Sequence, residues 1–274
     1  MRDEREAALR ANLAAYDSLE ERKYINGAPH LKHASIAAVY GSLVDRAIKS
    51  VGRDPHGITL LELGAGSGLA SQPWFERGVA ITAVDSSAPM LRDFAARAAA
   101  FGIKPEIIVN DVVDFLDSTD KRFDIVTHVS MLHHVPDYLE LLARSITHVR
   151  EGGCLLTFQD PERYDRMRFG HHALDRASYF AWRAGQGNLK RGIRTRWRRL
   201  RGVYSPSETV DFDEYHVVRK GVDSAAIRSL LEPAFTRVDV VAYWSTYSRG
   251  LQWLGERAGL TSSFGILASG RKPS

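Results

Sequence analysis

Residues 58–68 read ITLLELGAGSG. The near-continuous apolar run Ile58–Leu63 predicts a strand buried on both faces, as strands of parallel sheets are. It runs directly into glycines at 64, 66 and 68. Glycine tolerates positive φ and lets a ligand approach the backbone closely. A turn of this kind feeds a helix whose N-terminal amides face the ligand. The register is GxGxG, with Leu69 standing where the dinucleotide fingerprint GxGxxG requires its last glycine.

Outward from that turn, short apolar runs alternate with amphipathic stretches. Strands are expected at Val79–Asp85, Glu106–Asn110, Phe123–Val129 and Gly153–Gln159. Helices are expected at Ala88–Ala100 and Asp137–Val149. Such alternation predicts a doubly wound α/β sheet. Upstream, Arg2–Arg22 and Leu31–Val51 read as helices, joined through Tyr24–His33. The alternation stops at Asp160 and returns with a helix near Val222–Leu231 and strands at Thr236–Trp244 and Phe264–Ser269. The expected organisation is an N-terminal helical cap over 1–56 and a ligand-binding core over 57–159. A lid or substrate insertion would follow over 160–221, and the last part of the sheet over 222–274.

Composition narrows the function classes. Hydrophobic residues make up 44% of the 274 and charged residues 26%, as in ordinary globular proteins. The one cysteine, Cys154, leaves no internal disulfide and no zinc–thiolate cluster, so a reducing cytoplasm is the simplest setting. MRDEREAALR carries no apolar h-region, so no secretory signal is expected, and no apolar run is long enough to span a bilayer. The net charge of +4 is mild, but Lys190–Arg201 holds one lysine and six arginines. Leu189, Ile193, Trp197 and Leu200 fall at helical spacing there. Such a helix reads as a solvated lid packing its apolar stripe on the core. It also reads as a peripheral contact with an anionic membrane or a phosphate-bearing substrate.

Two acids close the next strands. Asp85 ends the second and can accept both hydroxyls of a ribose; Asp111 follows the third and can accept an adenine amine. Either acid also reads as a helix N-cap. After the fourth strand comes SMLHHVPD, residues 130–137. His133 and His134 read as a general base, or as loop residues, one packing against a cofactor and the other capping the next helix. Adjacent imidazoles without further spaced ligands do not suggest a metal.

LLELGAGSG, AVDSS, NDVVDF, FDIVTHVSMLHHVPD and VREGGCLLTF together resemble class I S-adenosylmethionine (SAM)-dependent methyltransferases. The likeness is to the small-molecule branch whose fourth motif reads LHHVPD, and it covers about residues 57–160. It implies a Rossmann-like seven-stranded sheet in the order 3-2-1-4-5-7-6, with strand seven antiparallel, N-terminal helices and a helical lid insertion. It implies SAM as cofactor, with S-adenosylhomocysteine as product. Gly64, Gly66 and Gly68 would cradle the methionine part, and Glu62 would order that loop. Asp85 would bind the ribose, Met90 would pack near the adenine, and Asp111 with Val112 would hold its edge. Ala65, Ser86, Ser130 and Tyr24 complete the expected cofactor contacts. Related sugar O-methyltransferases carry a base and its partner at positions like His133, His134 and Asp160.

The expected acceptor is a small molecule: a sugar, glycolipid or polyketide-like hydroxyl, with an amine as the alternative. His171, Tyr179 and Trp182 in the insertion, and Trp244 after the sixth strand, are candidate acceptor contacts. An RNA methyltransferase gripping through the arginine-rich stretch is another alternative, but nucleic acid is not the expected partner, because no NPPY-type tetrapeptide follows strand four. A SAM-binding scaffold without transfer activity is a further alternative.

Overall fold

The computed structural model describes residues 25–167, 170, 171, 174 and 221–273. The expected helix over 2–22, Tyr24, Tyr179, Trp182 and the whole Lys190–Arg201 stretch lie outside the described residues.

Seven strands form one sheet: β1 (Thr59–Leu63), β2 (Ala80–Asp85), β3 (Glu106–Val109), β4 (Phe123–Val129), β5 (Val149–Pro161), β6 (Phe235–Tyr243) and β7 (Ser263–Arg271). Their order is β3-β2-β1-β4-β5-β7-β6. β1 pairs in parallel with β2 and β4, while β7 runs antiparallel to β5 and β6. This is the Rossmann-like strand order that the resemblance implied.

Helices cover both faces, so two cores form. On one face α1 (Ala34–Val51), α2 (Gln72–Arg77) and α3 (Ala88–Ala100) bury Ile36, Leu43, Trp74, Phe75 and Phe94 against Leu60, Ile125, Leu156 and Phe158. On the other, α4 (Val112–Ser118), α5 (Tyr138–Thr147) and α6 (Ser224–Leu231) bury Phe115, Leu141, Ile146 and Ile227 against Leu61, Val126, Leu155 and Ile266. Every residue of β4 is buried, which explains its continuous apolar reading. No helix among the described residues is long and apolar enough to cross a membrane.

β5 is longer than expected at both ends. Its extension explains how the insertion attaches. Glu162 bridges Val222 in parallel, Val222 N–H donates to Pro161 O at 2.9 Å, and Arg163 N–H donates to Val222 O at 3.0 Å. Arg163 and Arg166 pair with Asp223, and Ser224 bonds Glu162. The segment leaves and re-enters the core at one hydrogen-bonded neck.

One helix was not expected. α7 (Arg249–Arg257) lies between β6 and β7. It corrects the reading of Trp244 as an acceptor wall. That indole is 2% exposed, its Nε1–H donates to Leu251 O at 3.0 Å, and Gly255 packs against its ring. Trp244 seats α7 on the sheet. Burial beneath α7 follows because the Gln252 amide ties the preceding loop, donating to Trp244 O at 2.7 Å and accepting from Thr246 N–H at 3.0 Å.

Candidate active site

The crossovers from β1 and β4 leave in opposite directions, so a crevice opens outside their carboxyl ends, the usual ligand position in such sheets. The glycine turn folds over the end of β2, with Gly64 N–H and Ala65 N–H donating to Val84 O at 2.9 and 3.1 Å. Gly64, Gly66 and Gly68 all have positive φ. A Cβ on Gly64 would lie 2.9 Å from Met131, and one on Gly68 would lie 2.9 Å from the buried Phe94 ring. At Gly66 the same atom would meet only the Met90 sulfur, at 3.8 Å. The turn is thus wedged on the protein side at 64 and 68 and open at 66. Replacing Gly68 by alanine is expected to cost about 1–3 kcal/mol of stability, because the residue gains both a disfavoured φ and a clash. Urea unfolding of Gly68→Ala checks this.

Asp85 holds the turn from below. Its Oδ2 accepts from Gly66 N–H at 2.9 Å and its Oδ1 from Ser87 N–H at 2.8 Å. Ser86 stands between them. The cap of α3 is Ser87, whose Oγ accepts from Met90 N–H, so Asp85 is not that cap. Asp111 does cap α4, accepting from Val113 and Asp114 N–H at 2.9 and 3.2 Å, with Val112 the first helical residue. A carboxylate has room for further hydrogen bonds beyond two. Glu62 lies buried beneath the turn. Ser71 Oγ–H donates to its Oε1 at 2.8 Å, and its Oε2 has no partner among the described residues. Burial, with Asp85 adding repulsion, pushes its carboxyl up to about 8. An open glycine cradle, an acid at the end of β2 and a capped acid after β3 fit an adenosyl-bearing cofactor.

Across the crevice, Ser130 follows the last residue of β4 and Gln159 lies near the end of β5; both have positive φ, 52° and 66°. Non-glycine residues in that region are strained, and such strain clusters at functional sites. Ser130 N–H donates to Phe158 O at 2.7 Å, tying the two strand ends together. The following turn, Leu132–His134, is pinned by the fully buried Leu132. Asp137, not a histidine, caps α5.

The turn aims His133 at Asp160. Asp160 Oδ1 accepts from the His133 backbone N–H at 3.1 Å and lies 2.8 Å from His133 Nδ1. An oxygen already accepting from a backbone amide is an acceptor toward the ring as well. Nδ1 therefore carries the hydrogen and Nε2 carries the lone pair, the tautomer a general base requires. Asp160 is fully buried and its Oδ2 has no partner among the described residues. The His134 ring lies 4.1 Å from that of His133, centroid to centroid. No group of three metal-ligating side chains occurs among the described residues.

Several side chains around this dyad were not among the expected site residues. Tyr243 Oη accepts from Gln159 N–H at 3.0 Å, and burial with the Asp160 charge nearby raises its phenol well above the ordinary range. Gln159 Nε2–H in turn donates to Ser245 Oγ at 2.8 Å. His30, on the Pro29–Lys32 helical turn, is buried. Nothing in YINGAPHLKH separates His30 from His33. Among the acceptor candidates, His171 accepts from Thr261 N–H at 3.3 Å through Nδ1.

Residues 61–157 match the family model described as a methyltransferase domain. The ubiquinone biosynthesis O-methyltransferase of Methylobacterium sp. (strain 4-46) is 29% identical over 115 residues, 40% of this chain and 46% of that protein. The chain spans less than half the length of that curated relative. Among solved structures, the N-methyltransferase NodS from Bradyrhizobium japonicum WM9, in complex with S-adenosylhomocysteine, superposes with a TM-score of 0.54 at 13% identity. That match covers 98% of this chain and 100% of NodS. Magnesium protoporphyrin IX methyltransferase from Synechocystis PCC 6803, with bound SAM, gives 0.51 at 13% identity, covering 96% of each chain.

Proposed function

We propose that this chain, whose residues 61–157 match the methyltransferase-domain family model, is a class I methyltransferase that transfers a methyl group from SAM to a hydroxyl of a small-molecule acceptor. The observation that carries the reading is the His133–Asp160 pair at the mouth of the crevice, 2.8 Å apart. When bound, SAM supplies a methyl activated on a sulfonium, and the acceptor oxygen takes it by in-line displacement. The chain supplies position, dryness and proton removal. His133 Nε2 takes the hydroxyl proton. Asp160 holds the ring in that tautomer and stabilises the imidazolium that forms.

On the opposite side, Gly64–Gly68, Asp85 and Asp111 would hold the cofactor, with Glu62 beneath the loop. The name of the curated relative, an O-methyltransferase, supports oxygen as the reacting atom. A sugar, glycolipid or polyketide-like hydroxyl is weakly acidic, so a positioned base matters more there than for an amine.

The test is calorimetric titration with SAM and S-adenosylhomocysteine, then methyl transfer from labelled SAM to a panel of hydroxyl and amine acceptors. Saturable binding of both ligands and label on a hydroxyl oxygen are expected. Absence of SAM binding refutes the reading, and binding with label only on amines replaces oxygen by nitrogen.

A further inference from the structure

The pairing of β5 with β7 slips by one residue just before Asp160. Phe158 pairs with Gly265 and Asp160 pairs with Phe264, so Gln159 is an extra residue, a bulge. Its φ of 66° belongs to the same irregularity. Side chains alternate faces along a strand, and directly paired residues share a face. In an unbroken strand Asp160 would share the face of Phe158, which packs in the core beneath α1. The extra residue reverses the alternation. Asp160 instead shares the face of Phe264, which packs in the same core as Leu132, the anchor of the histidine turn. The bulge therefore puts Asp160 on the side of the sheet where His133 stands, 2.8 Å from its Nδ1.

A bulge leaves ladder groups to be satisfied elsewhere, and Tyr243 satisfies them. Its Oη accepts from Gln159 N–H at 3.0 Å and donates to Gln159 Oε1 at 3.1 Å. Phe264 O, at 3.4 Å, is a longer alternative acceptor for that hydroxyl. Gln159 Nε2–H donates onward to Ser245 Oγ at 2.8 Å. The Tyr243 ring stacks on Phe158 with centroids 5.0 Å apart, and Phe158 stacks on Tyr40 at 4.8 Å. One hydroxyl thus clamps both the main chain and the side chain of the bulged residue, from a ring that is itself fixed.

We propose that Tyr243 is a positioning residue for the proton transfer: its hydroxyl holds the Gln159 bulge, and the bulge holds Asp160 against His133. Tyr243 acts through Gln159 and Asp160 and takes no proton itself. Burial raises its phenol well above the ordinary range, so the clamp keeps its hydrogen throughout an assay. The inference rests on the methyl-transfer reading above.

The test is Tyr243→Phe, which keeps the ring on Phe158 and removes only the hydroxyl. Nitrogen-15 spectra of histidine-labelled protein at alkaline pH show which ring nitrogen carries the hydrogen, and the His133 signals are those lost in His133→Ala. The expected wild-type hydrogen is on Nδ1. In Tyr243→Phe a mixture is expected, including the Nε2–H tautomer that a free imidazole prefers. In steady-state transfer from SAM to catechol or methyl glucoside, kcat should fall about tenfold or more while KM for SAM holds. In a His133→Ala background the same change should cost nothing further, because it acts through the dyad. A wild-type tautomer or wild-type kcat in Tyr243→Phe overturns the inference. So does an equal loss in the His133→Ala background, which is what general loosening of the strand would give. Gln159→Gly removes the clamp from its other side, with a residue suited to the 66° φ, and should give the same tautomer shift if Tyr243→Phe does not fold. The methyl-transfer reading fails separately. A tautomer shift in a protein that methylates no acceptor of the panel upholds the positioning and removes the reaction.

Discussion

Replacing His133 by alanine is expected to lower kcat by about 100- to 10,000-fold, the usual contribution of a positioned general base. SAM affinity should hold, because the cofactor side of the crevice is built from β1, β2 and β3 and not from the Leu132–His134 turn. Asp160→Asn should also lower kcat, by less than the alanine change at 133. The asparagine oxygen can still accept both His133 hydrogens, but it no longer offers a charge to the imidazolium. The double variant should be no slower than His133→Ala, because residues acting as one unit are non-additive. Single-turnover transfer with saturating SAM makes the comparison. If His133→Ala retains wild-type turnover, His133 is only a wall of the crevice. If the two losses multiply in the double variant, Asp160 acts through something other than the histidine.

The glycine turn and the first five strands were legible because local physics dictates them. Positive φ at 64, 66 and 68 admits few residues other than glycine, and doubly buried strands must read as apolar runs. α7 was not legible because its binary pattern is inverted. Gln252 and Gly255 are buried while Trp253 and Leu254 are about half exposed, so no apolar stripe marks the core side. The polar core residue is satisfied by loop backbone, and the outward indole is covered by Arg257, 4.3 Å above its ring.

The candidate site divides in the same way. Asp160 was readable because it directly follows a predicted strand, and His133 because it lies in the short loop just past another. His30 was not, because its burial comes from docking against residues 246 and 247, far along the chain. Asp85 and Asp111 were legible as acids at strand ends. Their present partners, the Gly66 amide and the start of α4, depend on how tightly each turn closes.

Stability should peak near pH 6.5, and three buried groups set that peak. His30 and His128 are both held neutral by burial, each pushed down to about 3, with His133 adding to the effect at His30. Unfolded, each titrates near 6.5. Between those values the unfolded chain binds more protons, so stability falls as pH falls, by about 1.4 kcal/mol per pH unit for each histidine. Glu62 has the opposite sign. Its folded value is about 8 against an ordinary 4.5, so between those values the folded chain keeps a proton that the unfolded chain has lost. Stability then falls as pH rises, by about the same slope.

The two histidines outweigh the one acid from 4.5 to 6.5, and above 6.5 the acid acts alone. Urea unfolding at pH 5, 6.5 and 8 tests each arm. Glu62→Gln should remove the decline between pH 6.5 and 8 (the amide cannot ionise) and, with its opposing slope gone, about double the slope between pH 5 and 6.5. His128→Phe should flatten the profile between pH 5 and 6.5, since the His30 and Glu62 slopes then oppose each other about equally, and leave the alkaline arm intact. His128 lies within β4, where Leu63 on β1 and Thr157 on β5 are its register partners, so a phenyl ring suits its apolar surroundings. A Glu62→Gln profile parallel to wild type between pH 6.5 and 8 would mean that Glu62 is already ionised when folded. It would then need a cationic partner outside residues 25–167 and 221–273, because none there reaches its unpaired Oε2.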